Sequence, residues 1–131
     1  MPNMPIGARG TFTLAVSPDH LANRFKDATL PPVLATPVMI MIMENAALNA
    51  MKPHLAAGQS ALGTRVDIRH LAATPVGRSV TGEAEIVKVD GRRVEFTIRA
   101  MDGPELIGTG THERVIIDLA AFSARLKTKM R

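Results

Sequence analysis

Thr36-Pro-Val-Met-Ile-Met-Ile-Met-Glu44-Asn-Ala-Ala-Leu-Asn-Ala-Met51 is the stretch that decides the fold. Threonine followed by proline is a helix-start signature, with Thr36 as N-cap and Pro37 at the first helical position. Pro53 stops the helix just beyond Met51. Between those ends the residues are apolar nearly all round, the pattern of a helix wrapped by protein on most sides. A membrane span is a poor reading, because it needs about 20 predominantly apolar residues in one helix. Here Pro31, Pro32, Pro37 and Glu44 interrupt the apolar run between Asp27 and Lys52.

Outward from this helix the chain alternates in strand fashion. Gly10 to Ser17 places Phe12, Leu14 and Val16 against Thr11, Thr13 and Ala15. Leu21 to Pro32 reads as an irregular or short helical connection. After a turn at Gly58, strands are predicted over Ala61 to Leu71, Ser79 to Val89, Arg92 to Met101 and Leu106 to Ile117. Asp90-Gly91 and Asp102-Gly103-Pro104 supply the tight turns. Ala120 to Lys129 is a short basic helix or tail. One domain over residues 1–131 is expected, of the α+β class: an antiparallel sheet of about five strands curled around a long central helix. This is the hot-dog arrangement. A lone copy leaves a sheet edge and a helix flank open, so a homodimer is expected.

Composition narrows the function classes. The chain has 131 residues, 46% hydrophobic and 21% charged, enough to bury a core without staples. Cysteine is absent, which removes disulfides, thiolate metal sites and cysteine nucleophiles together. With no secretory signal in Met1 to Thr11, a cytoplasmic location is expected. The net charge of +4 raises nucleic acid as a partner, but the four aromatics are all phenylalanine and do not cluster with the basic residues. A stacking platform for bases needs such clustering. An anionic small molecule suits a mildly basic surface as well.

Glu44 is the only charged residue between Asp27 and Lys52. Burying an unpaired carboxylate costs several kcal/mol, so it needs a partner or a cavity. It is either a satisfied structural carboxylate or a base or nucleophile in a desolvated pocket. His70 shares strand parity with Val66 and Ile68, which turns it inward while Asp67 and Arg69 point away. Glu44 is its expected hydrogen-bond partner. Thr36 sits at the positively polarised helix start, where an oxyanion can be held. Eight residues at about 1.5 Å each put Thr36 and Glu44 roughly 12 Å apart along the axis. Either a bound substrate spans that gap, or a dimer brings one helix start to the other copy's Glu44; the second is expected. His20, His54 and His112 lack metal-site spacing, and no nucleophile elbow or phosphate-binding glycine loop occurs. No metal or redox cofactor is expected. The basic residues Arg125, Lys127, Lys129 and Arg131 read as a solvated tail or as contacts for CoA phosphates.

The sequence resembles the fluoroacetyl-CoA thioesterase family of hot-dog proteins. The resemblance rests on Val33-Leu-Ala-Thr-Pro-Val-Met39, Met43-Glu-Asn45, Leu62-Gly-Thr64, His70-Leu-Ala-Ala-Thr-Pro-Val-Gly77, Val89-Asp-Gly-Arg-Arg93 and Ile107-Gly-Thr-Gly-Thr-His-Glu-Arg114. It covers residues 7 to 127. It implies catalytic roles for Thr36, Glu44 and His70, and points to Gly63 and Arg114 at the substrate end of the pocket. It also implies a homodimer with interfacial active sites and hydrolysis of an acyl-CoA. The segment from Phe25 to Pro32, which corresponds to a phenylalanine-bearing lid, is shorter and carries Leu30 in place of a ring. The expected substrate is therefore a short or small acyl-CoA, not specifically the fluorinated one. Two rivals remain: a hot-dog dehydratase or hydratase, disfavoured because Leu21 to Thr36 has no histidine, and a non-catalytic acyl-CoA-binding module.

Overall fold

In a computed structural model that describes residues 4–130, the long helix lies across one antiparallel sheet. The elements run β1 (Arg9–Ala15), α1 (Ala22–Phe25), α2 (Thr36–Met51), β2 (Gln59–His70), β3 (Ser79–Asp90), β4 (Arg93–Asp102), β5 (Glu105–Asp118) and α3 (Leu119–Lys129). Short 3-10 turns at Pro18–His20 and Lys52–His54 flank the connection and the end of α2. The strand order is β1-β3-β4-β5-β2, so β2 forms one edge. Among the described residues no helix is long and apolar enough to cross a membrane.

The sheet follows from alternation and turn chemistry. In β4 the side chains of Val94, Phe96, Ile98 and Ala100 are buried while Arg93, Thr97 and Arg99 face water. The β3–β4 and β4–β5 hairpins close on two central residues, Gly91-Arg92 and Gly103-Pro104. Both glycines have positive φ, 60° and 57°, which a II′ turn requires at its first central position. The helix rests directly on β1 and β3: a Cβ at Gly82 would stand 2.7 Å from the Ile42 carbonyl oxygen, and one at Gly10 would collide with the backbone of Ala46 and Ala50. Met39, Ile42, Met43, Ala46, Ala47, Ala50 and Met51 fill the concave face against Ile86, Phe96, Ile107 and Ile116.

Two sequence expectations need correction. Thr36 is not the N-cap; Ala35 takes that place, makes no side-chain cap, and Thr36 is the first residue of α2. Its hydroxyl is used elsewhere, as described below. Nor is α2 wrapped nearly all round within one copy. Met41 is 38% exposed, and Ile40, Glu44, Asn45 and Leu48 are only partly covered. These residues recur at three- and four-residue spacing and form one open flank. The sheet covers one side of the helix, and the same apolar pattern continues on the other.

Candidate active site

Two polar clusters lie along α2. The first is at its start. Thr36 Oγ1 and His70 Nδ1 are 2.8 Å apart, joining residues 34 positions apart in sequence. His70 ends β2 at the sheet edge, and with Val66 and Ile68 it occupies the inward side. Burial pushes its imidazole below the usual histidine range, with the Ala72 backbone opposing. Its Nε2 is buried and makes no hydrogen bond of good geometry among the described residues. A cleft of about 440 Å³ opens here, lined by Ala22, Leu30, Val33, Leu34 and Ala72 together with Thr36 and His70. Lys26 stands at its rim. The mostly apolar walls with a few convergent polar groups are those of a small-ligand site.

The second cluster lies two turns further along. Glu44 Oε2 is 3.9 Å from Arg114 Nη1, and its side chain is 34% exposed. Gly63 sits directly beneath: a Cβ there would be 2.6 Å from Glu44 Oε2, 3.2 Å from His112 Cε1 and 3.5 Å from Arg114 Nη1. Only a glycine leaves this space for the carboxylate. Gly63 and Arg114 are paired in register across β2 and β5. Just after Gly63 the register shifts, and Thr64 is the extra residue of a bulge. Thr64 donates to the Glu113 carboxylate, Oγ1 to Oε2 at 2.6 Å, which fixes the bulge from the outer face.

The structure thus brings Thr36 to His70, and Glu44 to Gly63 and Arg114. It does not pair His70 with Glu44 in one chain. The expectation that Glu44 would satisfy the inward imidazole is overturned within a single copy: His70, at the end of β2, meets the first residue of α2, and Glu44 stands two turns further along the helix. Glu44 is also less buried than its apolar neighbours suggested, because it stands on the open flank.

His112 went unread in the sequence as part of any site. It is fully buried, and its Nδ1 lies 2.8 Å from the Arg65 carbonyl oxygen. Its Nε2 is 3.1 Å from Arg114 Nη1. The available signal was period-two placement: Gly110, His112, Arg114 and Ile116 share one face of β5, and two polar members on an inward face call for mutual pairing. Among the described residues no group of three or more metal-ligating acidic or histidine side chains occurs.

A family model described as fluoroacetyl-CoA-specific thioesterase matches residues 16–120. The chain is 41% identical to the fluoroacetyl-CoA thioesterase of Streptantibioticus cattleyicolor, over 96% of this chain and 94% of that one. Among solved structures it is similar to a threonine-to-serine mutant of the fluoroacetyl-CoA thioesterase in complex with acetyl-CoA. That match has a TM-score of 0.92 and 38% identity, covering 98% of this chain and all of the other. A Thermus thermophilus protein described as a thioesterase superfamily member matches with a TM-score of 0.89 and 33% identity, over 99% and 98% of the two chains. The chain belongs to the fluoroacetyl-CoA-specific thioesterase family.

Proposed function

We propose that this protein hydrolyses a small acyl-CoA thioester to the free acid and CoA, in a site that two copies complete together. The hydrogen bond between Thr36 and His70 on the wall of the cleft is the observation that carries this reading. It sets a hydroxyl and an imidazole at the start of α2, where the helix dipole favours a developing oxyanion. The relative with acetyl-CoA bound supports a substrate of that class.

Glu44 of the second copy supplies the missing acid–base group. In one chain it stands apart from the Thr36–His70 pair, on the flank of α2 that the sheet leaves open. Packing that flank against its counterpart buries Ile40, Met41 and Leu48, and joins each helix start to the other copy's carboxylate. The exposed edge strand β2 runs alongside and extends the same contact.

The chemistry balances with these groups and water. The carboxylate takes a proton as water attacks the thioester carbonyl. Thr36, locked by His70, and the helix start hold the oxyanion. Collapse of the tetrahedral intermediate expels the CoA thiolate, which receives the proton from Glu44. Gly63 leaves room for the carboxylate, and Arg114 attracts and orients it. The chain's own residues place the reaction without a cofactor in any step.

Mixing the inactive variants Glu44→Gln and His70→Ala tests the reading directly. Each alone should release thiol from an acetyl-CoA or fluoroacetyl-CoA panel orders of magnitude more slowly than the parent. In a site shared between copies, random re-pairing should restore about a quarter of parental activity, because half the dimers are mixed and each mixed dimer has one intact site. No recovery, with mixed dimers shown to form, would refute the shared site. Full activity in either single variant would refute the assignment.

A further inference from the structure

His112 and Arg114 form a buried polar strut in the second cluster. Arg114 is 7% exposed, and its Nη2 donates to the Ala61 carbonyl oxygen at 2.7 Å. Nη1 donates to His112 Nε2, while Nε has no partner among the described residues. An N–H aimed at Nε2 makes that nitrogen the acceptor, so the ring carries its proton on Nδ1 and donates it to the Arg65 carbonyl oxygen. Every polar atom of the imidazole is engaged, and each end has an assigned role. The ring also stacks on Phe96, with centroids 5.7 Å apart and planes inclined by 28°.

The choice of acceptor matters electrostatically. A carboxylate at position 112 would neutralise Arg114 inside the core. A neutral imidazole satisfies the N–H geometry and leaves the positive charge uncompensated. The nearest carboxylate that can answer it is Glu44, at 3.9 Å. That distance is short for attraction and too long for a hydrogen bond, so neither oxygen of Glu44 is tied up by Arg114. Burial keeps the His112 ring neutral by pushing its pKa down, and the adjacent Arg114 charge acts in the same direction.

We infer that His112 is a positioning residue, a neutral two-ended strut from the Arg65 carbonyl to Arg114 that aims the guanidinium at Glu44. This inference rests on the hydrolase reading only for its effect on turnover; the strut itself is a property of the folded chain. Nothing in it requires His112 to touch substrate.

Two replacements separate the two ends. His112→Gln carries an acceptor to the Nε2 position, whereas His112→Asn keeps a donor near Nδ1 and loses the reach to Arg114. The glutamine variant should keep kcat within about threefold of the parent, and the asparagine variant should lose roughly 10- to 100-fold in kcat with little change in KM. In an Arg114→Ala background the asparagine substitution should add less than about a twofold loss, because its target is already gone. Multiplying losses, or equal impairment of both variants, would overturn the inference. A second readout does not depend on activity. Nitrogen-15 spectra of the parent should show His112 unprotonated at Nε2, and the slowed rotation of the Arg114 guanidinium seen in the parent should be retained with glutamine and lost with asparagine. A proton on Nε2 in the parent would also overturn it. A parent that releases no thiol from any acyl-CoA would refute the hydrolase reading, and the spectra would still decide the strut.

Discussion

The two clusters along α2 are built on opposite principles. At the helix start, Thr36 and His70 meet across a cleft with apolar walls, neither carries a formal charge at neutral pH, and the contact is one hydrogen bond between distant segments. Two turns on, Glu44 faces the Arg114 guanidinium at 3.9 Å, and a buried scaffold of His112, the Ala61 carbonyl and the Arg65 carbonyl holds the cation. The first cluster suits a neutral thioester carbonyl that must enter and leave. The second suits a carboxylate whose position must not vary. Their separation along a single helix teaches that the Thr36–His70 pair and Glu44 do not meet within one copy.

Removing the acid should break this contrast most severely. Glu44→Gln preserves shape and hydrogen-bonding capacity, so thermal unfolding should change little while turnover falls by about 10²- to 10⁴-fold. Retained turnover would reduce the second cluster to a structural ion pair. Gly63→Ala comes next. Its methyl would enter within 2.6 Å of the carboxylate oxygen, displacing Glu44 outward. A loss of roughly 10- to 100-fold in kcat is expected, since small displacements of a catalytic group are costly. An unaffected kcat would show that the carboxylate has latitude the geometry denies it. Met41→Glu, on the open flank, should weaken self-association and lower activity at dilute protein while leaving activity at high concentration closer to the parent. Sedimentation and a dilution series would read this, and concentration-independent activity would oppose a shared site.

The smallest expected effect is on pH. Burial depresses both His70 and His112, the unfolded chain having ordinary histidines of about 6.5. Below that value the unfolded state binds protons that the folded state resists. Stability from these two residues is therefore present above about pH 6.5 and declines as pH falls toward their folded pKa values. Chemical denaturation across that window should show the fall, and replacing His112 with Gln should flatten it. A stability rising on acidification would contradict the direction of both shifts.

Much of the frame was legible because it depends on local periodicity. Thr36-Pro37 and Pro53 bracket α2, with its start one residue earlier than the cap reading places it, and alternation in Arg93–Asp102 places Val94, Phe96 and Ile98 inside. The inward turn of His70 followed from its parity with Val66 and Ile68. What local pattern does not encode is which distant group arrives. Thr36 resembled a cap by composition, and only the approach of β2's last residue explains why its hydroxyl does not serve one. Glu44 read as buried because its neighbours are apolar, whereas apolar residues on an open flank look the same in sequence as those in a core. His112 lacks metal-ligand spacing, a test that a strut to arginine does not need to pass.

The bulge at Thr64 has a consequence for how β2 tolerates changes in length. Before it the odd positions, Ala61 and Gly63, look into the molecule; after it the even ones, Val66, Ile68 and His70, do so. Thr64 thus acts as a phase shift between two frames of one strand. Loss of that single residue would restore uninterrupted alternation with Gly63 and His70 still facing inward. The strand would keep both residues on its inward face, and the casualty would be the offset of the Arg65 carbonyl on which the imidazole of His112 is hung.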